Sequence, residues 1–63
     1  MIYKKGDRIK LVRMDNDPQP IQVGTLGTVT DTTDLWGEVQ VGVSWDNGRT
    51  LSVILPIDEI ELL

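Results

Sequence analysis

The residues of this chain that could do chemistry are few, and what is missing narrows them further. Two acidic pairs, Asp15/Asp17 and Glu59/Glu61, have the composition of a general acid and base, and Ser44 and Ser52 carry hydroxyls that would need activation. Carboxylate catalysis requires a concave, partly desolvated site, and a serine nucleophile requires an adjacent base. The chain has no His and no Cys, so it lacks the commonest base, a thiolate and the usual zinc ligands. Asp15-Asn16-Asp17 opens like a calcium loop, but its sixth position is Pro20 where the turn needs Gly, and its twelfth is Leu26 where a bidentate Glu is required. Asx residues ahead of Pro18 are more simply turn formers. The expectation is a non-enzymatic protein with no metal and no cofactor.

Binding chemistry is better represented. Residues 1–13 carry Lys4, Lys5, Arg8, Lys10 and Arg13 against Asp7 alone, a balance of +4, while the remaining fifty residues sum to −8 with Arg49 as their only cation. Arg8 and Lys10 alternate with Ile9 and Leu11 and so share the outer face of a strand, where a nucleic acid could be held and a tryptophan could stack a base. A grip on nucleic acid normally wants a basic domain, and this chain has a net charge of −4. Glu59 and Glu61 on a neighbouring last strand would balance the cations through cross-strand pairs. Nucleic acid is therefore the second choice of partner, using Lys4, Lys5, Arg8, Lys10 and Arg13.

The first choice is another protein. Trp36 lies in Thr32-Thr33-Asp34-Leu35-Trp36-Gly37, which reads as a loop, and it is either folded back as a lid on the core or presented to a partner. A peptide or partner surface would dock between this loop and the segment that holds Asp15, Asp17, Pro18 and Pro20. Trp36, Trp45, Pro18 and Pro20 would give apolar contact, and Asp15 and Asp17 would favour basic groups.

The elements that must position these residues are strands. Two-residue alternation and β-branched residues dominate, and no window sustains a capped 3.6-residue apolar period. Strands are predicted at about 7–14, 26–31, 38–45, 49–54 and 58–62. A Pro- and Asx-rich loop follows the first strand, and Leu55-Pro56-Ile57 suits a single 3₁₀ turn before the last. The stretch Val43-Ser44-Trp45-Asp46-Asn47-Gly48-Arg49-Thr50-Leu51-Ser52-Val53 fixes a register. A two-residue Asn-Gly turn would set Val43 against Ser52 and mix the faces. A three-residue loop with Gly48 in the left-handed region sets Val41 against Val53, Val43 against Leu51 and Trp45 against Arg49, leaving one apolar face. Trp45 then faces the core at its rim, with Arg49 over the ring. Five short strands with these connections predict an all-β fold, a small five-stranded SH3-like barrel in a single domain over residues 1–63. An OB-like barrel is the alternative, but it wants a longer chain and a helix.

The runs Gly6-Asp7-Arg8-Ile9-Lys10-Leu11-Val12-Arg13-Met14, Gly24-Thr25-Leu26-Gly27-Thr28-Val29 and Val43-Ser44-Trp45-Asp46-Asn47-Gly48-Arg49-Thr50-Leu51 resemble a family of small domains of unknown function from phages and mobile elements. The resemblance covers nearly the whole chain. More distantly, the Gly-Asp-Arg opening and the Trp-Asp-Asn-Gly hairpin are similar to the Mib/HERC2 and KOW-type domains, which are SH3-like and non-enzymatic; the resemblance implies fold, not activity. It implies no functional residues. A chain of 63 residues buries only about 60% of its unfolded surface, so its core is small and either a monomer or a homodimer fits. No apolar run approaches the length of a membrane span, and the expected location is the cytoplasm.

Overall fold

The computed structural model describes residues 3–15 and 17–63; Met1 and Ile2 of the basic start and Asn16 of the Asx-rich loop lie outside the described residues. Five strands, β1 (Arg8–Arg13), β2 (Leu26–Leu35), β3 (Glu38–Trp45), β4 (Val53–Leu55) and β5 (Glu59–Leu62), form one antiparallel sheet in the order β4-β3-β2-β1-β5. No helix occurs among the described residues. The all-β class and the five antiparallel strands are as expected from the sequence. The sheet is not closed, however: among the described residues β4 and β5 do not pair. β4 is only three residues long, and its Ile54 gives both its N–H and its C=O to Asp58, at 2.9 and 2.7 Å, instead of to another strand.

A single sheet with one apolar face and no second layer must curl to bury that face. Ile9 and Leu11 of β1, Val29 of β2, Val41, Val43 and Trp45 of β3, Val53 of β4 and Ile60 of β5 meet in one cluster, joined by Ile21 from the loop before β2. A bulge at Thr30 makes this possible. Val29 opposes Val43, but Asp31 opposes Gly42. Strict alternation from Val29 would turn Asp31 into the core, whereas the extra residue turns it outward and bends the strand. Asp31 is exposed and lies over Gly42, where any side chain would come within 2.8 Å of Thr30 Oγ1.

The β3–β4 hairpin has the predicted register. Val41 pairs with Val53 and Ser44 with Thr50. The Trp45 N–H donates to the Arg49 carbonyl at 2.8 Å and the Gly48 N–H to the Trp45 carbonyl at 3.0 Å. Gly48 has φ +91°, so an L side chain there meets the left-handed penalty of about 1 to 2 kcal/mol. Gly48→Ala is expected to lower stability by about that amount, read from the urea midpoint of unfolding. An unchanged midpoint would contradict the turn assignment.

Four expectations need correction. β2 continues through Thr32–Leu35, which the sequence suggests as loop, and ends in a two-residue turn at Trp36-Gly37 closed by Leu35 opposite Glu38. Over that stretch β2 lies across from Val39–Val41 of β3, but its own Asp31, Thr33 and Asp34 are exposed, so the apolar alternation is lost. β4 begins at Val53 and not near Arg49, because the Leu51 carbonyl is diverted to the Trp45 indole N–H at 2.9 Å. Leu55-Pro56-Ile57 is not a 3₁₀ turn. It contains a cis Leu55–Pro56 peptide and is closed by the Asp58 N–H on the Ile54 carbonyl. Finally, Trp45 is not at the rim: it is 2% exposed, and its ring is accommodated by Gly27, where a Cβ would stand 2.9 Å from Trp45 Cε3. The Arg49 guanidinium donates instead to the Gln19 carbonyl at 2.8 Å and holds the long loop down.

Candidate functional site

The β2–β3 hairpin carries Trp36 at its tip. Thr32 and Thr33, β-branched and opposite Val41 and Gln40, carry the strand outward, and the turn is made by Trp36 at φ +24° and Gly37 at φ +92°. Two consecutive residues with positive φ define a primed hairpin turn, whose first position is normally Asn, Asp or Gly. Trp36 therefore sits in a backbone conformation that suits it poorly. Its side chain is fully exposed, at 104%, so the lid arrangement does not occur and the ring contributes nothing to the core.

The other candidates from the sequence are placed differently. The long loop is tied to β1, with the Gly24 N–H on the Leu11 carbonyl at 2.8 Å, and to the β3–β4 hairpin through Arg49. Pro18 and Pro20 are exposed. Asp17 accepts the Gln19 N–H at 2.8 Å, forming a local Asx turn, and Asp15 pairs with Arg13 at 3.3 Å. Among the described residues no hydrogen bond or ion pair joins this loop to the Trp36 tip. Trp45, expected to share in apolar contact with a partner, is in the core and has no free surface to offer.

The cations of the first strand are largely engaged within the fold. Arg8 makes a bidentate pair with Asp46, at 3.0 and 2.7 Å, and a hydrogen bond to Thr28 Oγ1 at 2.9 Å. The hydrogen bond from Arg8 and, after it, the guanidinium charge hold the Asp46 carboxyl below its ordinary 3.8. A depressed carboxyl pKa contributes stability that is present above the unfolded value and is lost as pH falls through the folded one. The pair is solvent-exposed, so its contribution is small. Arg13 reaches the Pro56 and Ile57 carbonyls at 3.4 and 3.3 Å as well as Asp15. Lys10 stands opposite Glu61 and Arg13 opposite Glu59 across β1 and β5, the charge-balanced arrangement weighed from the sequence. Lys4 and Lys5 are exposed in the turn before β1.

Sequence reasoning missed a concavity, an open groove of about 420 Å³ lined by Tyr3, Arg13, Leu55, Pro56, Asp58, Glu59 and Ile60. Asp58, Tyr3 and Arg13 use their polar groups within the fold. Asp58, 6% exposed, accepts the Asp15 N–H at 3.0 Å and the Ile54 N–H at 2.9 Å, and the Tyr3 hydroxyl donates to the Ile60 carbonyl at 3.3 Å. The Pro56–Asp58 turn was the available signal. The pairing of β1 with β5 brings Arg13 there, but nothing in the sequence places Tyr3 beside it.

Fold and surface together define a small all-β domain whose β2–β3 hairpin carries an exposed tryptophan at its tip. The chain belongs to the family described as Domain of unknown function (DUF4314), whose model matches residues 1–63. No curated protein and no solved structure matches it.

Proposed function

We propose that this domain is a non-enzymatic binding module for another protein, and that the tip of the β2–β3 hairpin is its contact point. The observation that carries this reading is Trp36. A fully exposed indole on a residue with unfavourable φ costs the free domain stability, and no contact within the fold offsets it. Strain of this kind clusters at functional positions, and tryptophan is among the residues that most often anchor an interface. The same proposal takes the fold as an SH3-like barrel, supported by a last strand that returns to pair with the first and by a tight turn ahead of it. A role as an accessory protein of a phage or mobile element follows from the resemblance noted for the sequence. The nucleic-acid alternative is disfavoured by the engagement of Arg8 and Arg13 within the fold.

The test is Trp36→Asn. Asn suits the first position of a primed turn, so the variant is expected to be as stable as the parent or more stable by about 1 kcal/mol, while a partner captured from nuclease-treated lysate of the source cells is lost. A variant that captures the same partner undiminished removes Trp36 from the interface, and one that unfolds shows that Trp36 supports the fold and overturns its reading as a dedicated contact.

A further inference from the structure

The hairpin that presents Trp36 also carries charge of one sign only. From Met14 to Gly48 there are six carboxylates and no Lys or Arg. Asp15 and Asp46 are paired with Arg13 and Arg8, and Asp17 is used in its own turn. The remaining three, Asp31, Asp34 and Glu38, all lie on the β2–β3 hairpin, and none has an ion-pair partner among the described residues. Asp34 stands two residues before Trp36 and Glu38 two after it. Glu38 closes the turn opposite Leu35, and Asp34 opposes Val39. The indole is therefore flanked by a carboxylate on each strand. The nearest cation in sequence, Arg49, is committed to the Gln19 carbonyl at the other end of β3.

We infer that the occupant of this tip is a basic protein segment, one that lays a Lys or Arg side chain over the Trp36 ring with Asp34 and Glu38 on either side. This rests on the reading of Trp36 as an interface anchor and adds the chemistry of what it anchors. The ring face attracts a cation, and the two carboxylates neutralise the charge that such a segment brings. The unscreened negative field of the hairpin steers a positive partner to the tip and repels an acidic one. A neutral apolar segment would use the ring and leave the carboxylates uncompensated. Among the described residues, a second copy of this chain would have Lys4, Lys5 and Lys10 to offer as cations, since Arg8, Arg13 and Arg49 are already engaged.

The experiment is selection of a random peptide library against the full chain, followed by calorimetric titration of the enriched peptides against the parent and its variants. Enrichment of Lys- and Arg-bearing sequences is expected, with binding that weakens as salt rises. Affinity should fall about tenfold in D34N/E38Q, from two exposed charge pairs at the upper end of their usual range, and should be lost in Trp36→Asn. Apolar peptides that depend on Trp36 but not on Asp34 and Glu38 would overturn the inference and leave the binding module standing. No enrichment, or peptides indifferent to Trp36→Asn, would overturn both. Sedimentation showing a dimer that dissolves in Trp36→Asn would assign the tip to a second copy of the chain and overturn the basic segment.

Discussion

Trp45→Ala is expected to cost about 3 to 5 kcal/mol, the range for removing a buried aromatic. A domain of 63 residues has a total stability of about 3 to 9 kcal/mol, so the variant should be largely unfolded at room temperature, or close to it. Two contributions add. The ring fills the space that Gly27 leaves open beside Val43, and its N–H satisfies the Leu51 carbonyl where β4 has parted from β3. Trp45→Phe separates them: it keeps most of the apolar surface but leaves that carbonyl without its donor, at a cost of about 1 to 3 kcal/mol. Urea unfolding followed by circular dichroism measures both. A Trp45→Ala protein that unfolds at the parent's midpoint would remove Trp45 from the core.

Asp58→Ala should be comparably severe by a different route. The carboxylate binds the N–H groups of Asp15 and Ile54, and no buried side-chain polar atom among the described residues lacks a partner. Removing it orphans two donors at about 1 to 3 kcal/mol each. The isosteric Asp58→Asn is the informative companion, since its amide oxygen can serve one of the two N–H groups while its NH₂ must face the other. It should fall between parent and Ala. If Asn matches the parent in thermal melts, the carboxylate is not bridging the two segments.

Much of the scaffold could be read from residue types, because one-sided burial imposes alternation. Val41, Val43 and Trp45 against Leu51 and Val53 leave only one register that separates apolar from polar, and Gly48 supplies the conformation that register needs. Lys10 and Arg13 against Glu61 and Glu59 could be anticipated for a related reason, since neighbouring strands favour opposite charges. The outer half of the β2–β3 hairpin could not. Asp31, Thr33 and Asp34 are exposed, and a strand solvated on both faces carries no period to detect. Only Gly37 after Trp36 and the run of threonines hinted at it. Asp58 was equally hidden. One carboxylate among nine after residue 13 differs from the rest through what the fold places around it, the N–H groups of Asp15 and Ile54, which lie far apart in the chain.

The hold of Asp58 on Ile54 bears on solubility as well as stability. β4 borders the sheet, and an outer strand with a free N–H and C=O is a template on which a second chain can add its own strand. Val53-Ile54-Leu55 is an apolar triplet of the kind that feeds such growth. With both Ile54 groups taken by Asp58, that template is blocked in the native fold. Asp58→Ala leaves the backbone N–H of residue 58 for the Ile54 carbonyl but frees the Ile54 N–H, so the losses of this variant on storage should rise with concentration faster than its melting temperature alone would suggest.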